Sequence, residues 1–130
     1  MPTEPAKILS GLRTAVGAGA WLTPTLAGRI FGLDPAANPQ MAYMARLFGA
    51  RDIALAVGTT QTTGPSRRVW WQIGIACDLA DAVAAYLGGR NGTLSKFSAA
   101  AAGGTAVVAA GLGVAAMQAD DAHVVGGDPR

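Results

Sequence analysis

The sequence predicts an all-α chain: a four-helix transmembrane bundle with a short interfacial helix between spans one and two. Three observations predict it. Four apolar stretches are separated by Pro- and Gly-rich breaks, and each is about 18–23 residues long, enough to cross a hydrocarbon layer about 30 Å thick. The last of them, Phe97 to Met117, holds no charge in 21 residues and only Ser98 and Thr105 as polar side chains; an uncharged run of about 18 or more reads as a span. Charged residues make up 14 % of the chain, against about 25 % in an ordinary soluble domain. With 28 Ala, 18 Gly and no period-two alternation, strands are a poor reading. A chain of 130 residues allows one domain, divided here into a bundle over 1–118 and a polar tail over 119–130.

The first stretch runs from about Ala6 to Thr23 and stops at Pro24, which cannot continue a helix without losing a backbone hydrogen bond. Ala18-Gly19-Ala20 has the small-residue pattern of a leader cleavage site, but Arg13 interrupts the apolar segment ahead of it, so no cleavage is expected. After Pro24, Leu26, Ile30 and Leu33 share one helical face with Phe31 beside them. That suits a short helix in the headgroup layer, and equally a kinked extension of helix one. The breaker-rich Asp34-Pro35-Ala36-Ala37-Asn38-Pro39 precedes the second stretch, about Gln40 to Thr60. The third, about Arg67 to Gly88, follows Gly64-Pro65-Ser66, and the fourth, about Lys96 to Gln118, follows Gly88-Gly89-Arg90-Asn91-Gly92. With four spans both termini share a side. That side holds Lys7, Arg67, Arg68 and Arg130 against Arg29, Arg90 and Lys96 on the other, which leans towards cytoplasmic termini. Trp70 and Trp71 beside Arg67 and Arg68 read as an interfacial anchor on that side.

Arg13, Arg46, Arg51, Asp52, Asp78 and Asp81 all fall within the expected spans. A charge at mid-bilayer costs about 2.5–3.5 kcal/mol on insertion scales, so the six must neutralise one another or line a wet cavity. In an antiparallel up–down bundle, facing positions add to a nearly constant number. On that rule Arg46 faces Asp81, Arg51 faces Asp78, and Arg13 faces Asp52, with Asp78 and Asp81 on one face at the i, i+3 spacing. Three cations against three anions favour structural pairing, because a carboxylate beside Arg is held ionised and relays no proton. The competing reading is a polar path across the membrane. Small residues recur at spacings of four or eight along each helix: Gly11, Ala15 and Gly19; Ala50, Ala54 and Gly58; Ala80, Ala84 and Gly88; and, in the fourth, Gly103, Gly111 and Ala115. Such rows let helices approach closely in lipid, and their surplus predicts a partner helix.

Several chemistries are absent from the sequence. It has no phosphate-cradling glycine loop with its lysine. His123 is the lone histidine, in the polar tail, and Cys77 has no histidine in its span to activate it. Asp120 and Asp121 read as the water boundary of the fourth helix. The formal charge of +2 and the lack of a basic stripe exclude nucleic acid as an expected partner. No catalysis, cofactor or metal is expected.

Arg46-Leu47-Phe48-Gly49-Ala50-Arg51-Asp52-Ile53-Ala54-Leu55, with Pro24, Arg29-Ile30-Phe31-Gly32-Leu33, and Asp78 with Asp81-Ala82, resembles a family of small four-helix bacterial membrane proteins with no assigned activity. The resemblance covers most of residues 8–90, and its Gly-x-Arg-Asp segment is its more specific part. It implies a four-span protein of a bacterial inner membrane. Eight Arg against two Lys in an Ala- and Gly-rich chain point to an actinobacterial source. In that setting the expected role is a non-catalytic accessory subunit of a larger membrane assembly, a lipid importer of the MCE type. The alternative is a self-assembling small transporter or channel using the Arg/Asp ladder. A redox-linked membrane protein of the DoxX-like kind would need cofactor ligands that the sequence lacks.

Overall fold

The computed structural model describes residues 2–127. Among them are five helices and no strand: α1 Glu4–Leu22, α2 Pro24–Ile30, α3 Met41–Gln61, α4 Gly64–Asn91 and α5 Lys96–Gly126. Each boundary follows from local chemistry. Prolines sit in the first turns of α1, α2 and α4, where a missing N–H leaves no bond unmade. Thr23, with φ −130° and ψ 60°, breaks the chain between α1 and α2, so the segment after Pro24 is a separate seven-residue helix rather than an extension of α1. Pro24 and Gly28 are its buried residues, and it packs on α1 and α3. Its Leu26 and Ile30 face outward. Extended Thr62 and Thr63 join α3 to α4. Gly92 closes α4 at φ +81°, a conformation that costs a glycine nothing. Ser95 caps α5 by accepting a hydrogen bond from the Ser98 N–H at 3.0 Å.

The bundle is two tight helix pairs. α1 lies along α3 and α4 lies along α5, while α1 touches α5 and α3 meets α4 over a shorter length. In the first pair a Cβ added at Gly17 would stand 2.9 Å from the Gly49 carbonyl oxygen, and one at Gly49 would stand 2.6 Å from that of Gly17. The two backbones therefore touch. In the second pair Gly113 seats Ile75, and Gly89 faces Ala99. Ala6, Leu9, Trp71, Ala109 and Ala116 form a compact apolar cluster at the end that holds the α3–α4 turn.

Several expectations are corrected here. The row Gly11, Ala15 and Gly19 is not the packing face of α1: Gly11 and Ala15 are exposed, and a side chain at Gly11 or Gly19 would meet open space. The buried face is Leu9, Arg13, Gly17 and Ala20. On α5, a Cβ added at Gly103 would stand 3.4 Å from that of Ala85, Ala115 is half-buried, and Gly111 is open; the buried row is Ala106, Ala109, Ala110, Gly113 and Ala116. Small residues ring these helices, so spacing alone does not choose the face. The helix over the fourth stretch continues through Asp120 and Asp121 to Gly126 instead of ending at Gln118; residues 128–130 of the tail lie outside the described residues. Among the described residues only α5 is long and apolar enough by length and composition to cross a membrane, because α1, α3 and α4 carry charges along their length.

Candidate binding cavity and its charged floor

α1, α3 and α4 each contribute charge to the middle of the bundle. Arg13 from α1 is buried to 4 % exposure and grips Asp78 of α4 through two hydrogen bonds, Nη2 to Oδ2 at 2.6 Å and Nη1 to Oδ1 at 3.3 Å. Its Nη1 also reaches Asp52 Oδ1 of α3 at 3.4 Å. Arg51 of α3 makes the same fork on Asp81 of α4, at 2.9 and 2.6 Å, and reaches Asp52 Oδ1 at 3.4 Å. Two parallel N–H···O bonds are the strongest geometry open to an Arg–carboxylate pair. Arg51 also lies over the Phe48 ring, 4.5 Å from its centroid. Gly74, one helical turn before Asp78, makes the room: a Cβ there would stand 3.0 Å from Arg13 Nη2.

Arg13 therefore stands against Asp52, as the depth rule places it, but the other two pairs differ. Arg51 holds Asp81, not Asp78, and Asp78 belongs to Arg13. Arg46 joins neither: its side chain is exposed and Nε donates to the Trp21 carbonyl at 3.3 Å. The depth rule assumes close antiparallel neighbours, and α3 and α4 are not close over most of their length; the charges bridge two helix pairs instead.

Above this floor lies a cavity of about 390 Å³. Leu12, Val16 and Ala20 of α1, Gly28 of α2 with Phe31 just after it, Met41 and Phe48 of α3, and Ala102, Thr105 and Ala106 of α5 help to line it. Arg13, Asp52, Asp78 and Asp81 are its charged residues. The far end is formed by α2 with Leu33 and Leu94. Cys77 is a half-buried free thiol. Among the described residues no three His, Cys, Asp or Glu side chains converge to hold a metal ion.

At the opposite end the expected interfacial anchor is dispersed. Trp71 is 3 % exposed, so it is core and not an anchor, and its Nε1 donates to Asp120 at 2.8 Å. Trp70 is half-buried over Gly58. Arg67 donates to the Thr62 carbonyl at 2.7 Å and stands 3.8 Å from Asp120. Arg68 pairs with Asp121. Asp120 and Asp121 are thus partners of α4 and not a bare water boundary. The depth rule applied to α4 and α5 was the signal for them, since Arg67 with Asp120 and Arg68 with Asp121 satisfy it together with Ala85 and Gly103.

No family model matches the chain, and neither a curated protein nor a solved structure shows significant similarity to it.

Proposed function

We propose that the chain is a four-span protein of a bacterial inner membrane that serves as a non-catalytic accessory subunit of a larger membrane assembly. The observation that carries this reading is the reversed polarity of the bundle. Arg13, Asp52 and Asp78 are among its most buried side chains, whereas Leu22, Ile30, Leu79, Val83, Val107 and Val108 are each more than half exposed. Water favours the opposite arrangement, and this many exposed large apolar side chains around a charged interior ask for lipid or another protein. It also bears on why hydropathy singles out α5 alone: five of the charges that lower the averages of α1, α3 and α4, Arg13, Arg51, Asp52, Asp78 and Asp81, are turned towards one another. The unfilled small-residue face of α5, with Gly104 and Gly111 open to its surroundings, gives a partner helix a close approach. An MCE-type lipid importer is the assembly that the resemblance implies.

Purification of the tagged protein from its native host in mild detergent tests this reading. Stoichiometric comigration with a larger integral membrane protein is the expected result. Migration alone or as a homo-oligomer would sink it in favour of a small self-assembling carrier. The cavity above the charged floor is the observation that favours that second reading, and transport by the protein alone in liposomes is its test.

A further inference from the structure

The cavity and its floor do not balance in charge. Arg13 and Arg51 face Asp52, Asp78 and Asp81, two positive charges against three negative, because Arg46 is turned outward to Trp21. Asp78 and Asp81 each hold an arginine through a short fork. Asp52 is left with two contacts of 3.4 Å, both to Oδ1, well beyond the roughly 2.7–2.9 Å of a strong charge-assisted bond. Its side chain is 7 % exposed and belongs to the cavity lining, and its Oδ2 takes no hydrogen bond from the protein among the described residues.

We propose that this cavity is a binding site for a monovalent organic cation, an amine or quaternary ammonium with an apolar body, whose charge sits against Asp52. Three features select that class. The surplus of one negative charge is met by a proton or by one bound positive charge, since a buried uncompensated carboxylate is costly, and only the second makes use of the room beside Asp52. The remaining wall is aliphatic and aromatic, with Phe31 and Phe48 among its residues, so it displaces water from an apolar body and not from a hydrated ion. A bare metal cation would need a shell of several oxygens, which no cluster among the described residues offers. The volume of about 390 Å³ is within the roughly 300–1,000 Å³ of small-molecule sites. The inference stands on the cavity and holds whether the protein works as a subunit or as a carrier.

The test is equilibrium dialysis of the full-length protein in mild detergent against radiolabelled benzyltrimethylammonium, with empty micelles as the blank. Neutral neopentylbenzene and anionic benzenesulfonate serve as competitors. Saturable binding at one site per chain is expected, displaced by excess unlabelled cation and not by either competitor. Asp52→Asn keeps the shape and removes the surplus charge, and should weaken binding about tenfold or more. Ala102→Leu keeps every charge and fills the wall, so it should also weaken binding, which covers the case in which Asp52→Asn does not fold. Binding no greater than to empty micelles overturns the proposal. Equal displacement by the neutral or anionic competitor overturns the charge assignment, and full affinity in Ala102→Leu overturns the location.

Discussion

Arg13 touches two carboxylates from two different helices and is itself almost wholly enclosed. Its loss is not the loss of one ion pair: Asp52 and Asp78 would remain buried, with Arg51 the nearest cation. Arg13→Met is therefore expected to cost about 3–5 kcal/mol, read as a fall in the thermal midpoint of the purified protein in mild detergent. Arg46→Leu, at an exposed side chain whose one hydrogen bond goes to a backbone carbonyl, should stay within about 0.5 kcal/mol of the parent. Equal effects at the two positions would show that the network is wrongly assigned. A double-mutant cycle sharpens the point, with Arg51→Leu and Asp81→Leu expected to couple by about 0.5–3 kcal/mol and Arg46→Leu and Asp81→Leu to add. The sequence shows that these residues must find partners, because burying charge in an apolar chain leaves no other choice. It does not show which partners, since an arginine side chain is long enough to reach past its own depth and Arg46 can snorkel outward where Arg51 cannot.

At the scale of the helices, the breaks are legible and the rotations are not. Pro24, Pro65 and Gly92 mark boundaries because their backbone chemistry is local. Which stripe of a helix faces inward is a property of its neighbours, and Ala and Gly on every side of α1 and α5 remove the usual contrast between a large apolar face and a polar one. Gly17 and Gly11 separate the two cases by experiment. Gly17→Val should force α1 away from Gly49 and Ile53, whose atoms already stand 2.9 Å from a modest Cβ, and markedly lower the thermal midpoint. Gly11→Val, with nothing within 4 Å, should leave it nearly unchanged. A similar contrast holds between α4 and α5. Asp120→Ala strips the buried Trp71 indole of its acceptor and should cost about 1–3 kcal/mol, with a shifted Trp emission. Asp121→Ala breaks a pair at the exposed rim and should leave both readouts unchanged.

For the whole molecule, the four crossings proposed above place the Thr62–Thr63 turn on one side of the membrane and Asn91 on the other. In a Cys77→Ser background, single cysteines at Thr63 and Asn91 should label with a membrane-impermeant maleimide from opposite faces of oriented vesicles; labelling from the same face would mean that α4 does not cross. The all-helical class was readable because the spacing of the breaks and the abundance of Ala are additive properties of the sequence. The cavity was not, because it arises from the gap between two helix pairs that the sequence presents as four equal neighbours. That division has a consequence for biosynthesis. Within the floor, the α1·α3 pair carries Arg13, Arg51 and Asp52 and the α4·α5 pair carries Asp78 and Asp81, so on the proposed four-crossing reading the half made first would wait with an unmet positive charge until the half made second brings acid to it. The later hairpin is a counter-ion that the ribosome delivers on the same chain, and two fragments cut between Thr62 and Thr63 and made together carry what they need to recognise each other.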